Sequence, residues 1–143
     1  MYMKNLYALL FAVFFFGCQN NEVSQNPKVL EGIYKTNAFL DPLCIAIENE
    51  NQLPRLDITQ NTDGSYHLLK TTFLPQTATT SLEGISAVAN SGGFILYYKN
   101  QKIGTYEDGK WYDGKKEVNS RVLRVSYTDS QQSTFFYYSG VKK

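Results

Sequence analysis

The sequence holds a single histidine, His67, and two cysteines, Cys18 and Cys44, and that shortage removes most of the usual catalytic chemistry. No Ser-His-Asp arrangement can form except through His67, and no Gly-x-Ser-x-Gly elbow flanks any serine. A zinc site of the His/Cys kind is excluded by count. The nearest approaches to a calcium site are Glu48/Glu50 and Glu107/Asp108/Asp113, and neither follows the spacing of a calcium loop. These acids read instead as solvated strand ends and turn residues, where Asp and its relatives bond to their own backbone. His67 itself reads as a surface strand residue, sharing a face with Ser65 and Thr71. Excess charge is missing too, with 14 basic residues against 13 acidic ones. Such a chain has no electrostatic reason to seek nucleic acid or an anionic surface. No helical period of ten residues occurs after Cys18, and no cofactor motif is present. The expectation is a protein that is not an enzyme and carries no metal and no cofactor.

What is there begins with an apolar run from Leu6 to Phe16, preceded by Lys4 and closed by Gly17-Cys18. The run falls short of the roughly 20 apolar residues a transmembrane helix needs. A basic start, a short apolar core and a small residue at the cut form the pattern of a secretory signal. With the cysteine after the small residue, Phe15-Phe16-Gly17-Cys18 resembles a bacterial lipobox, although Phe15 stands where an aliphatic residue is usual. The resemblance implies a signal peptide over residues 1–17 and a lipidated Cys18 as the mature N-terminus. It also implies a lipoprotein anchored to a membrane of the bacterial cell envelope, with the outer membrane the expected one. Ordinary secretion and an uncleaved apolar N-terminus are the alternatives. Loss of Lys4 with the signal would leave the mature chain formally neutral, so acyl chains would supply its membrane contact. Residues 18–28, with one aliphatic side chain and no periodicity, read as a flexible tether. Cys44, within the apolar Pro42–Ile47 and without a nearby base, is then the one remaining thiol and is expected to be buried.

From residue 29 to 143 the chain reads as one all-β domain of about eight to ten short strands joined by tight turns. Leu30–Thr36, Leu43–Glu48 and Arg55–Thr59 each alternate, the last two with Ile45/Ile47 and Leu56/Ile58 on one face. Asn61-Thr62-Asp63-Gly64 turns the chain into Ser65–Phe73. Leu82–Asn90 follows the threonine-rich Thr77–Ser81. A helix over Leu82–Ser91 competes with a strand there, because Leu82, Ile85 and Ala89 sit at helical spacing. Phe94–Tyr98 is apolar on both faces, as a strand covered on each side would be. Asn100-Gln101, Asp108-Gly109 and Asp113-Gly114 mark three further turns, with Lys110-Trp111-Tyr112 held between the last two. Val118–Tyr127 and Thr134–Tyr138 complete an antiparallel meander, joined by a hairpin over Asp129–Gln132. The pattern suits a closed barrel or a two-sheet sandwich.

A domain that opens Gly32-Ile33-Tyr34 and carries Arg121 and Arg124 late in the chain resembles a small lipocalin-like lipoprotein. In that superfamily a glycine and an aromatic two residues on mark the first strand, and a late arginine packs over the aromatic. The resemblance implies a β-barrel with Tyr34 in the place of the usual tryptophan. Fold analogy alone does not give function.

The aromatic residues carry what functional signal there is. Residues 94–138 hold 11 of the chain's 21 aromatics. Adjacent pairs such as Tyr97-Tyr98 and Tyr137-Tyr138 point to opposite faces of a strand, so one of each fills the core and its partner is covered, exposed or bound. Cross-strand packing is the plain account. The alternative is a ligand surface, since tyrosine and tryptophan offer flat apolar faces with a hydrogen-bonding edge. Tyr97, Trp111, Tyr112 and Tyr137 are the candidate binding residues, and Trp111-Tyr112 are expected to be partly exposed near a loop tip. Two functions follow: a binding module for a small apolar or sugar-like ligand, or an envelope accessory or inhibitor protein that binds another protein and holds no ligand.

Overall fold

A computed structural model describes residues 29–37, 49–131 and 134–143. The expected leader and tether, Cys18, Cys44 and the strand expected over Leu43–Glu48 lie outside the described residues. The elements are β1 (Gly32–Lys35), a single 3-10 turn (Glu50–Gln52), β2 (Arg55–Gln60), β3 (Tyr66–Thr72), β4 (Ala78–Asn90), β5 (Gly93–Tyr98), β6 (Gln101–Tyr112), β7 (Glu117–Asp129) and β8 (Thr134–Lys142). Each strand pairs antiparallel with the next, and β1 pairs with β8, so the sheet closes into an eight-stranded barrel. The choice between barrel and sandwich is thereby decided, and closure leaves no free sheet edge. At the closing seam Tyr34 lies opposite Lys142 and Lys35 opposite Val141. Gly140 permits that approach, because a Cβ there would stand 2.5 Å from the carbonyl oxygen of Lys35.

Period-2 alternation sorts the side chains. Tyr34, Leu56, Leu68, Leu82, Leu96, Tyr106, Leu123 and Phe136, one from each strand in turn, point inward and are buried. Fully burying each such side chain contributes about 1.5–3 kcal/mol. The interior is filled by side chains as small eight-stranded barrels are. Two buried phenols finish their hydrogen bonding within it: Tyr34 donates to the carbonyl oxygen of Leu30 at 2.8 Å, and Tyr138 donates to that of Tyr34 at 2.8 Å.

One open choice closes and three expectations change. Leu82–Asn90 is strand throughout, as part of β4. The three-residue spacing of Leu82 and Ile85 arises from a bulge at Glu83-Gly84, with Gly84 at φ 75°. The extra residue lets both apolar side chains face inward without a helix. Asp108-Gly109 is not a turn but lies inside β6, paired with Arg121 and Ser120. A local dipeptide signal was overridden there by 9 consecutive residue pairs between β6 and β7. Phe94–Tyr98 is not covered on both sides. Its outward residues Ile95 and Tyr97 stay partly exposed, because a single closed sheet has no second layer. Finally, the late arginine does not reach Tyr34. Arg121 lies over the Tyr106 ring, 5.8 Å from its centroid, and Tyr106 in turn meets Tyr34 edge-on.

Candidate functional site

The register of β6, β7 and β8 builds a second, smaller apolar cluster on the outside of the barrel. Trp111 lies opposite Val118, Val122 opposite Val141, Arg124 opposite Ser139, and Ser126 opposite Tyr137. These residues share the face away from Leu123, Val125 and Tyr138, which line the interior. Trp111, Val122 and Val141 are buried together, with Val118 packed against them. Just after β1, the Asn37 side-chain amide meets this wall and donates to the carbonyl oxygen of Tyr112.

Two clefts lie here, and Asn37 and Trp111 border both. The larger, of about 620 Å³, runs along the β1–β8 seam and mixes apolar residues such as Leu53, Phe73 and Val141 with charges of both signs, Lys35 and Arg55 against Glu50 and Asp113. The smaller, of about 490 Å³, is lined by Trp111, Arg124, Ser139, Lys110, Tyr112 and Tyr137 beside Asn37. Three of the four aromatics singled out in the sequence therefore meet in one place. Tyr97 does not join them. It lies on the outer face of β5, paired with Ser86 and Lys102, with β6 and β7 between it and β8.

Burial within the site differs from expectation. Trp111 is only 6% exposed, so it is not a free binding edge. The reason is the length of the hairpin: β6 and β7 pair all the way to Tyr112 and Glu117, which holds Trp111 flat against Val118 and Val122. Tyr112, at 42%, and Tyr137, at 38%, are the aromatic faces open to solvent.

The comparisons settle no kinship. No family model, no curated protein and no solved structure matches the chain.

The polar groups of the smaller cleft came from residues that sequence reading had not assigned to a binding site. Arg124 is exposed and, among the described residues, makes no ion pair. Its terminal nitrogens lie 3.5 and 3.6 Å from where a Cβ on Gly109 would stand, so the guanidinium rests over a position with no side chain. Lys110 reaches Glu117 at 3.5 Å across the hairpin. Only the pairing register brings Arg124 and Ser139 beside Trp111 and Tyr137, and no sequence motif marks them. The arrangement offers hydrogen-bond donors beside aromatic faces, which is the chemistry of binding.

Elsewhere, Lys70 faces the barrel interior. Its ammonium lies 5.2 Å from the Phe136 ring centroid, and burial holds its pKa below the ordinary value. Burial likewise pushes the Tyr34 and Tyr138 phenols far above theirs. His67 sits on the outer face of β3, 3.9 Å from Glu83. Among the described residues no group of three His, Cys, Asp or Glu is placed to hold a metal ion.

Proposed function

We propose that this protein is a non-enzymatic binding module of the bacterial cell envelope, a lipocalin-like barrel held to a membrane by lipid on Cys18, that takes up a small apolar or sugar-like ligand. The observation that carries the reading is the smaller outer-wall cleft, where Tyr112, Tyr137 and the edge of Trp111 converge. Its size suits a small molecule, since ligand clefts run from about 300 to 1,000 Å³. The ligand sits on the wall and not inside the barrel, because buried side chains from all eight strands fill the interior. Eight strands in up-and-down order are the lipocalin arrangement. That kinship in architecture supports the reading without carrying it.

Phe135 favours a second reading. It is 58% exposed, two residues along β8 from Tyr137 on the same outer face, and suits docking of another envelope protein. One experiment separates the two. The full chain, purified in mild detergent, is analysed by mass spectrometry for a retained small molecule, beside a Tyr112→Ala/Tyr137→Ala variant. The binding-module reading expects a co-purifying ligand that the double variant loses while its melting temperature stays within a few degrees. A ligand retained equally by both proteins, or none in either, would overturn the cleft as the site.

A further inference from the structure

We infer that the smaller cleft recognises a saccharide that carries a carboxylate, with Arg124 as the residue that reads the charge. The inference rests on the binding-module reading and names its ligand class. It stands first on the charge of the lining. Among the described residues the cleft has two cations, Lys110 and Arg124, and no acid, in a chain whose charges otherwise nearly balance. Lys110 is engaged with Glu117 at 3.5 Å, which leaves Arg124 as the cation of the cleft without an ion pair among the described residues. The nearest acid on the same face of β6, Glu107, accepts instead from the Thr105 hydroxyl at 3.0 Å.

Geometry gives the second support. Arg124 stands opposite Ser139 and diagonally across from Tyr137, and its guanidinium extends over Gly109 towards Trp111. A planar fork of donors matches the two oxygens of a carboxylate. Phosphate is a poorer fit, since a single guanidinium on a strand brings no helix N-terminus or nest of backbone amides. The neighbours then choose between an aliphatic acid and a sugar. Tyr112 and Tyr137, both exposed, bring aromatic rings with hydroxyl groups to the lining, and Ser139, opposite Arg124, adds a further hydroxyl. Rings with polar rims suit a sugar, which offers apolar C–H faces and hydroxyl edges together.

The test uses the full chain in mild detergent and the emission of Trp111, which borders the cleft and is the sole tryptophan. The probes are the trisaccharides of galacturonate, glucuronate and mannuronate, each beside its methyl ester, which keeps the sugar and removes the charge. At least one free acid is expected to bind ten-fold or more tighter than its ester, with the advantage shrinking as salt rises. Arg124→Gln should abolish the advantage, bringing each acid and its ester to the same affinity. Its melting temperature should not move, since the side chain is exposed and makes no ion pair among the described residues. Gly109→Val, which fills the space under the guanidinium, should reduce the advantage as well. If no acid outbinds its ester, or Arg124→Gln leaves the preference intact, the carboxylate inference is overturned. Ester binding that Tyr112→Ala/Tyr137→Ala removes would still uphold the binding-module reading. If no saccharide binds, the inference falls, and the retained-ligand experiment decides the broader reading by itself.

Discussion

Tyrosine does two jobs in this barrel, and the face it points to decides which. Tyr137 and Tyr138 are neighbours in β8, yet one opens to solvent over the cleft and the other is sealed in the core with its hydroxyl on the Tyr34 carbonyl. Burial pushes the Tyr34 and Tyr138 phenols well above their ordinary value of 10.0. Both stay protonated in the fold at pH values where the unfolded chain ionises. Their contribution is thus complete below about pH 10 and is lost as the pH rises beyond it, by about 1.4 kcal/mol per pH unit for each tyrosine. Lys70 works in the opposite sense. Burial lowers its pKa, so stability rises with pH between its folded value and the ordinary 10.5. Two tyrosines outweigh one lysine, and above 10.5 the lysine no longer contributes a slope. Urea midpoints measured from pH 8 to 11.5 should therefore fall steeply beyond pH 10. Tyr138→Phe should cost about 0.5–1.5 kcal/mol at neutral pH, for the lost hydrogen bond, and should flatten the alkaline fall. A wild-type midpoint that holds level to pH 11.5 would contradict this account.

Among the elements, the β6–β7 hairpin contributes most to the site, because it is longer than the barrel needs. Its inner face supplies Tyr106, Leu123 and Val125 to the core, while its far end presents Trp111 to the outer cluster. Trp111→Ala is expected to cost about 3–5 kcal/mol through the cavity it leaves. Wild-type emission should be blue-shifted, and denaturant unfolding should show the loss. A red-shifted emission together with a cost near 0.5 kcal/mol would place the indole in solvent. Part of this was legible in the sequence. The turns at Asn61–Gly64 and Asp113-Gly114 were readable because their signals are local: Asp113 Oδ1 accepts from the amides of Lys115 and Lys116, each at 2.9 Å, and Gly64 adopts φ 83°. Strand phase was readable wherever alternation ran unbroken, as at Leu56/Ile58. It failed at Leu82/Ile85, where the bulge at Glu83-Gly84 shifted the period, and the same device at Ile103 lets both Ile103 and Tyr106 face inward. Trp111, Tyr112 and Tyr137 could be suspected from residue type. Arg124 and Ser139 could not, since they join them only through register across three strands. Pairing over such separations leaves no mark in any local window.

Taken whole, the barrel keeps its main apolar cluster inside and carries most of its charges on the outside. The outer wall carries Arg55 with Asp57, His67 with Glu83, and Arg124. A barrel that spans a bilayer has the reverse plan, an outward apolar band about 25 Å tall. On the proposed reading, membrane contact must come from the other end of the chain, where the lipobox-like Phe15-Phe16-Gly17-Cys18 places a thiol for lipidation. One acyl chain binds a bilayer reversibly, at about 0.8 kcal/mol for each buried methylene, while several hold a protein stably. The tether of residues 18–28 would let the barrel stand off by roughly 5–6 Å times the square root of its residue number, so the outer-wall cleft faces water and stays open to ligand. Cys18→Ser is therefore expected to move the protein from the membrane to the soluble fraction, or to leave an uncut precursor. Cleft binding should survive in the soluble form, because the eight barrel strands, from β1 to β8, do not include Cys18. Fractionation of cell lysates beside a ligand-binding assay on the same variant checks both halves. Should Cys18→Ser protein stay with membranes at the normal mature size, the barrel wall itself would have to be the membrane-binding surface, and the anchoring proposed here would be wrong.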